Sequence, residues 1–299
     1  MPLSELSERR LIIVTGKGGV GKTAVTVSLA RAFAAKGRRV LCAEIVPLAE
    51  TPSQLSAALG GPPPTEEPIE VRPGVWAALL TPGAGHLRFL QDTLPIRILA
   101  DAAMRSMALR RFLSAAPGFS DMGVMYRMLD LMKRTGPSGT PFFDVCLIDS
   151  PATGHALALA QIPEFLTRAI PAGPIFRAAQ EGVSVLTNPV TTGAVIVTLP
   201  ETLPVTEALE LQRGLARYKL PVSAIAVNRV PANPFSAEER AAMTKVLSPS
   251  SPPVFGHREL RRIDRADAAI ELLKQQATTP FVTLPEVPGE PTEALGALV

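Results

Sequence analysis

The eight residues Gly16-Lys17-Gly18-Gly19-Val20-Gly21-Lys22-Thr23 constrain the fold of this chain more than any other feature. They follow an apolar run, LIIVT at 11–15, and open an alanine-rich stretch that reads as a helix from about Lys22 to Lys36. The pattern G-x-x-x-x-G-K-[ST] between a strand and a helix is a loop that cradles phosphates. Its glycines let backbone N–H groups approach the ligand, and the helix N-terminus adds positive potential. In such a loop Lys22 reaches the β- and γ-phosphates and the Thr23 hydroxyl binds Mg²⁺. Gly16 through Ala24 are therefore the expected contacts to a nucleotide, with Lys22 catalytic and Thr23 a metal ligand.

The rest of the chain fits an α/β fold. RVLCAEI (39–45), VWAALL (75–80), FDVCLID (143–149), AVIVTL (194–199) and VSAIAV (222–227) are further apolar runs, continuous rather than alternating, and helix-like stretches separate them. Continuous strands of this kind belong to a parallel sheet covered on both faces. The expectation is one three-layer domain over 1–299, a P-loop NTPase with a mostly parallel sheet. GGPPPTEEP (60–68) and SPSSPP (248–253) read as linkers, and 258–276 as a charged helix.

Between about 84 and 135 the strand signal vanishes, and the sequence reads as helices broken at Pro95 and at Pro117–Gly118. This is the expected helical insertion, with about 160–190 packing beside it. Six of the eight methionines fall here: Met104, Met107, Met122, Met125, Met128 and Met132. The last four share a helical face. They fill a core, or they line an adaptable surface for apolar clients.

Composition narrows the setting. A chain of 299 residues admits two ordinary domains or one large α/β domain. Apolar residues make up 46% and charged ones 19%, which excludes a wholly disordered chain. No run approaches 18 apolar residues, and the N-terminus is too polar for a signal-peptide core. Cys42 and Cys146 lie in strand-like runs and read as buried thiols, so the expected location is cytoplasmic. The net charge of +3 is scattered. Arg258, Arg261, Arg262 and Arg265 share one helical face, but Glu259, Asp264, Asp267 and Glu271 lie among them, so a salt-bridged, solvated face is preferred to a nucleic-acid patch.

The second lysine of the loop, Lys17, makes GKGGVGKT resemble the deviant Walker A loop of dimeric ATPases, which include chromosome-partitioning, septum-placement, nitrogenase-iron-protein and arsenite-pump members. The resemblance implies that Lys17 crosses a dimer interface to the neighbour's phosphates. Asp149-Ser150-Pro151-Ala152-Thr153-Gly154-His155 resembles the switch II of the arsenite-pump and tail-anchored-protein-targeting ATPases. By that resemblance Asp149 holds the magnesium shell, Gly154 is a hinge near the γ-phosphate, and His155 belongs to the switch.

VTLPETLPVTEALEL (197–211) is similar to the strand–turn–helix of bacterial members, and AVNRV (226–230) places Asn228 at the adenine edge. PFVTLPEVPGE (280–290) resembles the loop that closes over adenine, with Pro285 and Glu286 at its tip. The resemblance spans essentially the whole chain and is nearest the bacterial two-paralogue type. One position departs from it. Where the family carries the switch I Asp, this chain has Val46, which can neither orient nor deprotonate a water. Glu44 is the candidate to replace it, with Glu50 a second.

The resemblance implies a Mg-ATP-binding dimeric switch, homodimer or heterodimer, that couples ATP binding and hydrolysis to an apolar client or protein partner. Alternatives are a hydrolysis-deficient subunit of a heterodimer and a positioning ATPase acting on DNA or membrane. Metalloid transport needs clustered thiolates, which two separated cysteines do not supply.

Overall fold

The computed structural model describes residues 4–94, 104–108, 111, 118–151, 153–246 and 256–287. Eight strands form one sheet: β1 (Leu11–Gly16), β2 (Val40–Ile45), β3 (Ile69–Arg72), β4 (Val75–Leu80), β5 (Val145–Asp149), β6 (Thr192–Thr198), β7 (Val222–Val230) and β8 (Phe281–Pro285). Their order is β3-β4-β2-β5-β1-β6-β7-β8. Every neighbouring pair is parallel except β3–β4. The mostly parallel α/β architecture expected from the continuous apolar runs is present.

The reason for those runs is visible in β1. Leu11 and Ile13 face one layer, Ile12 and Val14 the other, and all four are fully buried. The helices are α1 (Lys22–Ala35), α2 (Gln54–Leu59), α3 (Pro82–Thr93), α4 (Phe119–Met132), α5 (Thr153–Ala169), α6 (Pro174–Leu186), α7 (Thr202–Arg217), α8 (Ala237–Val246) and α9 (His257–Gln276). Val25, Leu29 and Phe33 of α1, with Leu55 and Leu59 of α2, seal the Ile12/Val14 face. The Leu11/Ile13 face is covered by α4, α5, α6, α7 and α9 through residues such as Met125, Leu159, Ala179, Leu209 and Leu273. Helix α1 stops where Gly37 adopts φ +76° and its N–H bonds Ala34 O at 2.8 Å.

The α3–α4 contact is backbone against backbone. A Cβ on Gly85 would stand 1.7 Å from Gly123 O, so only glycine permits this crossing. Met122, Met125 and Met128 are buried and Met132 packs against the same core, which settles these four as core residues. Met107 is exposed and Met104 half-buried.

Three features differ from the sequence expectation. The antiparallel edge strand β3 has too short an apolar pattern to announce itself. The 280–290 stretch is not a loop throughout: Phe281–Pro285 is strand β8, parallel to β7, because Leu284 buries itself in the α1-side core. Pro285 therefore ends a strand instead of forming a loop tip, and Glu286 follows it with its N–H bonded to Val230 O at 2.8 Å. The expected break at Pro95, the linker at 248–253, Ala152 and the tail beyond 287 lie outside the described residues. No helix among the described residues is long and apolar enough to cross a membrane.

Candidate functional site

The β1–α1 loop lies where the strand order reverses around β1, at the carboxyl ends of the strands, the usual ligand crevice of open α/β sheets. Glycine is required here by space as well as conformation. Gly16 has φ +143°, and a Cβ on it would stand 2.2 Å from Val197 O. Gly21, at φ +94°, caps α1 without any side-chain hydrogen bond, so the first-turn N–H groups, from Lys22 through Ala24, have no side-chain cap to compete with an anion.

A hollow of about 450 Å³ opens over this loop, lined by Gly18, Gly19, Gly21, Lys22 and Thr23 together with Glu44, Asp149 and Arg229. Lys22 is buried, and its Nζ donates to Lys17 O at 2.9 Å. Burial holds its ammonium below the ordinary range, against the pull of Asp149. Thr23 Oγ1 donates to Asp149 Oδ2 at 2.7 Å, joining residues 126 apart in sequence. Burial pushes the Asp149 carboxyl up to about 6; the Thr23 bond lowers it, neighbouring Glu44 raises it, and Lys22 lowers it. Asp149 Oδ1 is buried and has no hydrogen-bond partner among the described residues. A buried carboxylate with an orphaned oxygen beside a threonine hydroxyl is a donor set that fits Mg²⁺, whose other ligands are ordinarily phosphates and waters.

Glu44 and Asp149 are directly paired across β2 and β5. The Glu44 carboxylate accepts from Ser53 Oγ and from the N–H groups of Gln54 (3.4 Å) and Leu55 (3.3 Å), so it caps α2 while lining the hollow. Val46 is buried, donates its N–H to Leu80 O at 3.1 Å, and lines a different hollow. Glu50 is exposed outside the loop hollow.

Lys17 points away from Lys22 and pairs with Glu207 Oε1 on α7 at 2.7 Å. Val20 is buried, and its carbonyl accepts from Asn228 Nδ2 at 2.9 Å. Asn228 thus braces the loop, and its Oδ1 accepts the Arg229 N–H at 3.0 Å. Pro285 is not among the residues that line the hollow. Gly154 sits in the first turn of α5 with open space where a Cβ would go, so nothing in this arrangement demands glycine there.

The second hollow, about 710 Å³, shares Ile45 and Pro151 with the first and is lined besides by Leu48, Met104, Met107 and His155. The two cysteines lie on opposite faces of the sheet, Cys42 in the α1-side core and Cys146 in the other, so they form no common thiolate site. On α9, Arg262 pairs with Glu259 and Glu286, while Asp264 and Asp267 pair with Arg240 of α8.

Glu207, Ser53 and Arg229 were not singled out from the sequence. Arg229 carried a signal, since it stands where the continuous apolar run of β7 gives way to polar residues at a strand's carboxyl end. Glu207 carried none, because its partner is 190 residues away.

Comparison with known proteins places the chain in a family. Residues 9–172 match the family model described as anion-transporting ATPase. The chain is 31% identical to ATPase BagA of Mycobacterium tuberculosis over 236 residues, covering 77% of this chain and 68% of that protein. It is 23% identical to ATPase GET3C of Arabidopsis thaliana, over 75% of this chain and 68% of the relative. It is 28% identical to the arsenical pump-driving ATPase of Acidiphilium multivorum, over 51% of this chain and 25% of the relative. A strand–loop–helix phosphate cradle with its buried acid, carried on a chain matched in this way, belongs to the anion-transporting ATPase family and is an ATPase.

Proposed function

We propose that this ATPase is a Mg-ATP-dependent dimeric switch, cytoplasmic, whose nucleotide state sets the shape of a helical insertion (84–135, with about 160–190 beside it) that receives an apolar client or protein partner. The observation that carries the reading is the shared wall of the two hollows. Ile45 at the end of β2 and Pro151 after β5 line both the loop hollow and the larger one bordered by Met104 and Met107. A ligand that moves these residues in one hollow changes the other, and the coupling is reciprocal.

In this reading Lys22, released from Lys17 O, neutralises the β- and γ-phosphates, and the α1 N–H groups hold phosphate oxygens. Thr23 and Asp149 would hold Mg²⁺, which would supply positive charge beside the phosphate oxygens. Glu44, adjacent to Asp149, orients the attacking water in place of the acid that Val46 lacks. Asn228 holds the loop's shape and offers its second amide hydrogen to the base. Lys17 leaves Glu207 when a second subunit, identical or paralogous, presents its phosphates.

The test is single-turnover ATP hydrolysis with light scattering in the presence and absence of ATP, with Lys22→Ala as control. Hydrolysis and ATP-dependent dimerisation, both lost in Lys22→Ala, support the switch. ATP binding with no turnover until a paralogue is added identifies the heterodimer reading, which the capping role of Glu44 favours. Hydrolysis by a chain that stays monomeric with ATP removes the dimeric switch.

A further inference from the structure

The loop hollow contains one basic residue that the reading above leaves unused. Arg229 lines it beside Lys22, is exposed, and has no ion-pair partner among the described residues. It is held there at a conformational cost. Arg229 has φ +55°, one of two non-glycine residues with positive φ among those described, a backbone that disfavours any residue carrying a β-carbon. The strain is imposed locally. Asn228 Oδ1 accepts the Arg229 N–H at 3.0 Å, while Asn228 Nδ2 donates to Val20 O of the phosphate loop at 2.9 Å. One buried amide therefore fixes both the shape of the loop and the direction in which the next residue leaves the strand. An unpaired guanidinium in a hollow that also holds two carboxylates, Glu44 and Asp149, is poorly explained by packing. It is well explained by an anion, since its planar fork matches phosphate oxygens bidentately.

We propose that Arg229 is a further nucleotide-binding residue, supplied from the end of β7, whose guanidinium holds phosphate oxygens of the bound nucleotide. The inference rests on the hollow being the ATP site. The preceding asparagine is the register device: it ties the Arg229 backbone to the loop, so loop closure on phosphates and placement of Arg229 occur together.

The experiment compares wild type, Arg229→Gly and Arg229→Lys by displacement of a fluorescent ATP analogue, with ATP, ADP and inorganic tripolyphosphate as competitors. Glycine is the deletion of choice because it accepts positive φ without strain, and thermal melting of each variant checks the fold. The expected result is a loss of roughly tenfold to a hundredfold in ATP affinity for Arg229→Gly, with tripolyphosphate weakened by the same factor. Arg229→Lys recovers part of it, as a point charge without the fork. ATP affinity within twofold of wild type in Arg229→Gly overturns the proposal, and so does a loss for ATP that tripolyphosphate does not share, which would assign the contact to the base. Lys22→Ala run in parallel separates the two levels. If it too binds ATP as wild type does, the identification of the hollow has failed, and not merely the role of Arg229.

Discussion

Lys17 Nζ lies 2.7 Å from Glu207 Oε1, so the second lysine of the phosphate loop is bound within its own chain, to α7, while Lys22 turns inward. Both side chains are partly exposed, at 48% and 32%, and such a pair contributes at most about 1 kcal/mol. That is small enough to yield to a phosphate. Glu207→Gln removes the competitor, and ATP-dependent association should strengthen by up to about fivefold at low salt, with the gain shrinking as salt screens the pair. Sedimentation velocity at two ionic strengths measures it; unchanged association in both would show that Glu207 does not restrain Lys17.

Asp149 carries a stability cost. Its carboxyl is pushed from 3.8 to about 6 by burial. Between those values the native state binds more protons than the unfolded chain, so stability falls as pH rises through this window and is flat above it. The shift corresponds to about 3 kcal/mol as an upper figure. Asp149→Asn should raise the melting temperature of the nucleotide-free protein at pH 8 while hydrolysis is lost. A variant that melts lower at pH 8 than wild type would contradict this account of the burial cost.

The same group gives nucleotide binding the opposite pH dependence. In the proposed reading the ionised carboxylate would hold Mg²⁺, so affinity for Mg-ATP should fall about tenfold per pH unit below about 6, while nucleotide binding without Mg²⁺ should lack that step. Calorimetric titrations between pH 5 and 8, with and without Mg²⁺, make the comparison.

Gly85 and Gly123 mark where α3 crosses α4. Adding a methyl group at Gly85 places Cβ 1.7 Å from Gly123 O, a backbone atom that no rotamer change can move aside. Gly85→Ala should destabilise the protein by about 3 kcal/mol or more, at the upper end of overpacking costs. Urea denaturation reads the effect, and a midpoint equal to wild type would mean the helices can part freely.

Cys42 and Cys146 should be inert. Both are fully buried, and burial raises both thiols, Cys146 up to about 12. Reagents that need a thiolate should label neither at pH 8 in the native protein and both after unfolding. Rapid native labelling of one site would show that its strand is not sealed.

The phosphate loop was legible because its signals are local. Glycines at 16 and 21, an apolar run before them and a helix former after them are chain neighbours, so the pattern can be read without knowing the distant residues, Val197 and Asn228, that pack against the loop. The continuous apolar runs announced a sheet covered on both faces, as the two cores on either side of β1 display.

What failed was information held between distant residues. The stretch 280–290 reads as a loop by resemblance to the loop that closes over adenine; pairing with β7 makes its Phe281–Pro285 part β8. The methionines at 122, 125 and 128 had the spacing of a face; of the two readings it allowed, burial against the sheet shows core.

By itself, then, the sequence determined the strand–loop–helix around residues 11–35 and the mostly parallel α/β sheet, and it offered Lys22, Thr23 and Asp149 as candidates, since loop conformation and strand burial are written in short-range pattern. Only the tertiary structure decided that Thr23 meets Asp149, that Lys17 rests on Glu207, that Glu44 caps α2 and that Asn228 ties Arg229 to the loop. Each of these is a contact of a few ångströms, and its direction is set by which strand ends come to lie side by side.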